Sequence, residues 1–254
     1  MSDKNKLDEL VSTGIDWDKR RIYFGSIDSG EDGGEFSWHT VERAIRAIHK
    51  MSEININPIE IHMNSEGGNP YDMLRLVDEI EAAPVQIKFI GGGMIASCAT
   101  WVMAVCDHRY LHKNTTVLVH DGNDGISGTH TDGQIQAQHL KKMQDRLYDI
   151  YESNSRMPKS FWQDLCQRDL YLKAEEAVLL GLADEIIDSR KRGNVRKSRT
   201  KRLNGQPNAK EMQDLIKDLY KRIERSRVPK LAMNESKEEF DDSLTNPFEA
   251  QDNQ

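Results

Sequence analysis

The sequence predicts an α/β fold built on a mainly parallel sheet. Three observations lead there: short apolar segments that alternate with polar residues, longer segments with apolar residues at helical spacing, and Gly-rich strings where one kind gives way to the other. The two kinds interleave up to Ile187 and then stop, so one α/β body with a C-terminal extension is expected.

Residues 1–19 are polar and read as a loosely held leader ahead of the body at residues 20–189. Residues 20–27, containing Ile22, Phe24 and Ile27, form the first expected strand, and the Gly- and acid-rich residues 29–35 a loop. Val41, Ala44, Ile45, Ile48 and Met51 mark a helix. Ile59, Ile61 and Met63 alternate as a strand that runs into Asn64-Ser65-Glu66-Gly67-Gly68. Met73, Leu74, Val77 and Ile80 mark a second helix, stopped near Pro84. Residues 85–90 read as a strand, Gly91-Gly92-Gly93 as a turn, and residues 97–106 as an apolar helix. Val117-Leu118-Val119-His120 is a strand ending in a Gly-rich turn. A longer helix is expected over residues 132–152, with Leu140, Met143, Leu147 and Ile150 on its stripe.

Beyond the body, residues 190–207 read as a basic, solvated linker, because residues 190–202 hold eight basic side chains and no acid. Residues 208–227 form an amphipathic helix, with Met212, Leu215, Ile216, Leu219, Tyr220 and Ile223 on one face. Residues 228–254 read as an acidic disordered tail: from Glu235 onward seven acids face one lysine.

Charge and composition narrow the function. The chain has 254 residues, a net charge of −7, and 37% hydrophobic against 30% charged residues. An acidic body argues against a nucleic-acid-coating role, and no nucleic-acid partner is expected. Cys98, Cys106 and Cys166 are odd in number, lack metal-ligand spacing and suit a reducing compartment; no metal or cofactor is expected. The N-terminus opens no apolar signal segment, and the uncharged run 89–106 reads better as a buried strand–turn–helix than as a membrane span. A cytoplasmic protein without membrane contact is the expectation.

Four places could carry chemistry. The Gly67-Gly68 pair after a strand can turn sharply and present backbone N–H groups to an oxyanion, although most such pairs are simply turns. Ser97 stands at the start of an apolar helix, where a hydroxyl lies near the positive helix end, but the string lacks a G-x-S-x-G elbow, and taken alone an N-cap or a small packing residue is the better reading. His120 closes an apolar strand and could pass a proton, or be a satisfied core histidine. Asp169 could fix the tautomer of an imidazole, but alone it is an acid before a helix.

Taken together, these strings resemble the proteolytic subunit of the ATP-dependent Clp protease, the ClpP family of serine peptidases. That family shows N-S-P-G-G after a strand, matched by Asn64-Ser65-Glu66-Gly67-Gly68. Its G-x-A-A-S-M string is matched by Gly93-Met94-Ile95-Ala96-Ser97-Cys98, and its strand-end histidine by His120. Its R-D-x-[FY]-[LM] string is matched by Arg168-Asp169-Leu170-Tyr171-Leu172, followed by Ala174, Ala177, Gly181, Leu182 and Asp184. The likeness covers residues 20–188, with the motifs in one order.

The resemblance implies the ClpP/crotonase fold, repeated β-β-α units around a curved sheet. It implies Ser97 as nucleophile, His120 as base and then acid, and Asp169 as the orienting carboxylate, with the N–H groups of Gly68 and Cys98 as oxyanion hole. It implies a homo-oligomer of heptameric rings that can stack through the 132–152 helix, Arg168 as an oligomer contact, and an AAA+ unfoldase as partner. Several positions depart from the pattern. Glu66 replaces a proline, Asp121-Gly122 replaces Gln-Pro, and Gln167 stands where an acid is usual. Glu60 and His62 flank Ile61 where the family places pocket aromatics, so an apolar loop docking there would meet an unpaired carboxylate. That favours the 208–227 helix and the acidic tail as an alternative ATPase surface. The competing readings are a dedicated prohead-maturation protease acting without an ATPase, a crotonase-type CoA-thioester enzyme, and a non-catalytic ring subunit.

Overall fold

The computed structural model describes residues 3–25, 37–122, 128–188, 199–202 and 208–226. Its centre is a nine-stranded, mainly parallel sheet. Along the main path run β1 (Ile15–Asp16), β2 (Arg21–Phe24), β3 (Ile59–Ser65), β4 (Ile87–Ala96), β5 (His108–His112), β8 (Glu185–Asp188) and β9 (Arg199–Arg202). A branch leaves the second half of β4: β6 (Thr116–Val119) pairs with it in parallel, and β7 (Leu170–Lys173) pairs with β6 antiparallel. β2, β3, β4, β5 and β8 are mutually parallel, while β1 and β9 are antiparallel additions at the two ends.

Strand β3 shows how the pattern places the core. Ile59, Ile61, Met63 and Ser65 are buried on one face, and Glu60, His62 and Asn64 point to the other, as a period of two demands. On the buried face lie α2 (Trp38–Ile54), α3 (Pro70–Glu81) and α4 (Ala99–Val105). Their stripes, including Val41, Ile45, Ile48, Met73, Leu76, Val77, Val102 and Met103, join one hydrophobic cluster. Each fully buried aliphatic side chain of this kind stabilises the fold by about 1.5–3 kcal/mol relative to exposure.

Helix α5 (His130–Asn154) is capped by Thr129, whose hydroxyl accepts from the Asp132 backbone, and buries only Leu147, Tyr148 and Tyr151. Its first four turns therefore leave the core, with Ile135 61% exposed. Next come α6 (Lys159–Leu165), β7 and α7 (Ala174–Leu180). No helix among the described residues is long and apolar enough to cross a membrane.

The ends of the chain differ from expectation. The polar leader holds α1 (Asp3–Thr13) and then β1, whose Ile15 is buried opposite Ile22. Its attachment comes from Ile15, the strand pairing and the Arg43 guanidinium, which donates to the Thr13 carbonyl at 3.1 Å, and composition reveals none of these. Arg20 fastens the start of the body: its buried guanidinium donates to the carbonyls of Met51, Asn57 and Pro58 at 2.6, 2.6 and 3.3 Å. Within the expected linker, β9 continues the sheet from β8. The amphipathic segment is α8 (Ala209–Ser226), and its apolar stripe is not free: Leu219 and Ile223 are buried. The expected acidic tail lies outside the described residues.

Candidate active site

The three glycines of β4 do not end the strand. Its first half pairs with β5 through Lys88 to Gly91, and its second half pairs with β6 through Met94 to Ala96. Between them the β3 register jumps, from Met63 opposite Gly91 to Ser65 opposite Ile95. This bulge is where β4 changes partner. Gly93 sits in it at φ 71°, and a Cβ there would come 2.5 Å from Asn64 Oδ1, which accepts the Met94 N–H at 2.9 Å. The expected turn is thus a bulge, and the expected helix starts only at Ala99.

The bulge sends the end of β4 alongside β6, and Ser97 follows directly. Ser97 has φ 54°, a left-handed conformation that costs a serine about 1 kcal/mol or more. The conformation is held from both sides: the Ser97 N–H donates to Leu118 O at 3.0 Å, and the Thr100 hydroxyl donates to Ser97 O at 2.6 Å. Strain secured in this way turns the side chain out of the sheet between a strand and a helix.

Gly67 packs against it. A Cβ on Gly67 would lie 2.7 Å from Ser97 Cβ and 3.3 Å from Ser97 Oγ, so only glycine permits this approach. The turn after β3 is closed by Ser65, whose Oγ accepts the Gly67 N–H at 3.1 Å, and Glu66 points into solvent. No proline is needed to set that turn. Gly68 faces Cys98, whose Sγ donates to the Gly68 carbonyl at 3.3 Å. Burial pushes the Cys98 thiol up to about 11, so it is uncharged at neutral pH.

His120 follows β6, and its Nε2 is the one buried side-chain nitrogen or oxygen among the described residues without a hydrogen-bond partner. Its Nδ1 lies 3.5 Å from Asp169 Oδ1. Asp169 precedes β7, a strand rather than the helix its isolated reading suggested, and the β6–β7 register places Val119 opposite Leu170. That pairing joins a histidine and an aspartate distant in sequence. Arg168 is exposed, with no hydrogen bond or ion pair to another described residue.

Ser97, Cys98, Gly68 and His120 open onto one cleft. Its far wall is apolar: Trp101 from α4, with Leu140, Met143 and Leu147 from α5. Sequence periodicity places Leu140 and Met143 on the apolar stripe of this helix, and in the structure that part of the stripe lines the cleft. No group of three or more potential metal ligands occurs among the described residues.

The surface around Ile61 also differs from expectation. Ile61 is fully buried on the core side, so nothing can dock on it. Glu60 is not unpaired: Arg21 Nε donates to it at 2.6 Å, His62 lies 3.1 Å away, and Tyr23 stacks on the His62 ring. Burial opposes ionisation of Glu60, but the bonds from His62 and Arg21 outweigh it and hold its carboxyl below the usual range. The open sheet face here is an ion-paired polar network.

Comparison with known proteins agrees with this architecture. The Clp protease family model matches residues 33–190, and the chain belongs to that family of peptidases. It is similar to the ATP-dependent Clp protease proteolytic subunit 2 of Pseudomonas aeruginosa, 32% identical over 148 residues, which cover 57% of this chain and 73% of the relative. It is also similar to the proteolytic subunit of Paracoccus denitrificans, 30% identical over 150 residues, covering 58% and 75% of the two chains. A solved mutant of ClpP1 from Listeria monocytogenes shares the fold, with a TM-score of 0.60 and 21% identity over 68% of this chain and 94% of that one.

Proposed function

We propose that this chain is a serine endopeptidase in which Ser97, His120 and Asp169 act as a catalytic triad. The observation that carries this reading is the orphaned His120 Nε2. Leaving a buried polar atom unpaired costs about 1–3 kcal/mol, so its persistence beside a strained serine calls for a use. A substrate-bound serine hydroxyl supplies one, because catalytic hydrogen bonds in free enzymes are commonly long and tighten with substrate.

In the proposed reaction, Ser97 Oγ attacks the scissile carbonyl while His120 Nε2 takes its proton. Asp169, at Nδ1, keeps the other ring nitrogen protonated and stabilises the imidazolium. The carbonyl oxygen becomes an oxyanion that accepts from the Gly68 and Cys98 N–H groups, where each such donor is worth about 2.7–4 kcal/mol. The C–N bond breaks as Nε2 returns the proton to the leaving amine. Water, deprotonated by His120, then releases the acyl group and restores Ser97. The apolar wall of Trp101, Leu140, Met143 and Leu147 suits a large apolar substrate side chain.

The same reading includes a ring-shaped homo-oligomer, supported by the projecting half of α5, and seven-fold rings with Arg168 at a contact follow from family likeness alone. The names of the relatives speak of an ATP-dependent protease, which suggests an ATPase partner for this chain too. A dedicated peptidase acting without an ATPase, as in prohead maturation, is the second reading. The Arg21–Glu60–His62 network favours it, since an apolar loop would have to desolvate those charges. A crotonase-type thioester enzyme or a silent ring subunit has no use for the three-residue set. The test is hydrolysis of a fluorogenic peptide: Ser97→Ala is expected to abolish turnover, and retained turnover rejects the reading.

A further inference from the structure

The carboxylate of Asp169 is weakly held. It is 57% exposed, lies 3.5 Å from His120 Nδ1, and receives no hydrogen bond from another described residue. Its direction depends on the backbone that joins α6 to β7. Helix α8 grips that backbone on both sides, although it lies outside the matched family region of residues 33–190.

Upstream of Asp169, the Tyr220 hydroxyl donates to Asp164 Oδ2 on α6 at 3.1 Å, and its ring meets Phe161 edge-on with centroids 6.3 Å apart. Downstream, Arg222 donates to both oxygens of Glu176, at 2.6 and 3.2 Å, and reaches Tyr171 O at 3.5 Å. Glu176 in turn accepts the Lys173 N–H at 2.9 Å, where β7 passes into α7. Glu176 is only 9% exposed, so the Arg222 guanidinium is the cation that compensates a buried carboxylate. Leu219 and Ile223, on the same helix face, are buried between these two grips.

We infer that α8 is a brace for the catalytic aspartate, and that Arg222 is a positioning residue for the His120–Asp169 pair. The inference rests on the proposed triad. Without the brace, β7 and the preceding turn gain freedom, and Asp169 spends less time in line with His120. Substrate contacts, made by the cleft and by α5, stay as they were.

The test uses full-length Arg222→Met, Arg222→Lys and Asp169→Asn, singly and with Arg222→Met in the Asp169→Asn background. Arg222→Met is expected to lower kcat about tenfold while KM stays within about twofold, and Arg222→Lys to restore most of the loss. In the Asp169→Asn background, Arg222→Met is expected to cost nothing further, because the carboxylate it positions has gone. Equal losses in both backgrounds, or an unchanged kcat in the single variant, overturn the brace. If Arg222→Met does not fold, Tyr220→Phe carries the same comparison, with an expected loss of about twofold. Full activity of Asp169→Asn itself instead refutes the triad, and the brace falls with it.

Discussion

Asn64 Oδ1 accepts the backbone N–H of Met94 at 2.9 Å, pinning the bulge at which β4 leaves β5 for β6. Ser97 lies three residues beyond that pin, so the bond sets where the strand end and its hydroxyl point. Asn64→Ala is expected to destabilise the fold by about 0.5–1.5 kcal/mol in urea denaturation, the net worth of one hydrogen bond at a solvent-accessible site. Peptide hydrolysis should fall by more than the unfolded fraction explains. Gly93→Ala should be worse, since its methyl would lie 2.5 Å from the same oxygen at a positive φ.

Cys98 lies next to Ser97 in the same cleft, and its nucleophilicity can be separated from that of the serine. Burial raises its thiol to about 11, which leaves almost no thiolate at pH 7.5. Iodoacetamide at that pH is therefore expected to leave peptide hydrolysis unchanged and Cys98 unmodified by mass spectrometry. Rapid alkylation with loss of activity would assign the chemistry to sulfur instead.

Arg109 fastens the end of the body. It donates to both oxygens of Asp184, at 2.7 and 3.0 Å, and to Asn154 O at 2.6 Å. Burial raises the Asp184 carboxyl, but the Arg109 bonds and charge outweigh that and hold it below its ordinary range. A carboxylate depressed in the folded state contributes stability above its unfolded pKa, near 4, and loses it as the pH falls through the folded value. Asp184→Asn should thus be less stable than wild type by about 1 kcal/mol at pH 7, a figure discounted for solvent at the carboxylate. In thermal melts the gap should begin to narrow as the pH falls below about 4 and close once it has passed the lower, folded value.

The projecting half of α5 calls for a neighbour. Ile135 is 61% exposed there, and no residue before Leu147 on this helix is buried. Sedimentation is expected to show a large homo-oligomer at micromolar concentration, and Ile135→Asp to shift it to smaller species. A wild-type monomer would contradict the ring.

Much of this was legible in the sequence where a local pattern settles the outcome. The strong stripes of α2 and α3 and the alternation in β3 name their own buried faces, and His120 stands at a strand end that an apolar run defines, whereas Ser97 reads as the start of a helix and instead follows the end of β4. The bulge at Gly91-Gly92-Gly93 was not legible, because a partner switch between β5 and β6 is a tertiary event that looks locally like a turn. Asp169 alone gave no sign of its role: β7 is four residues long, and only its pairing with β6 brings the carboxylate to His120. The stripe of α8 showed that something must cover it, but a stripe does not name its partner, which proved to be the segment around Asp169.

The central claim is that the Ser97 hydroxyl is activated by His120. It is tested most directly by the rate at which a fluorophosphonate probe labels the full-length chain, with the site read by peptide mass spectrometry. One adduct, on Ser97, is expected, with labelling abolished in Ser97→Ala and slowed by about a thousandfold or more in His120→Ala. An adduct on another residue, or labelling of Ser97 at the same rate without His120, would contradict it.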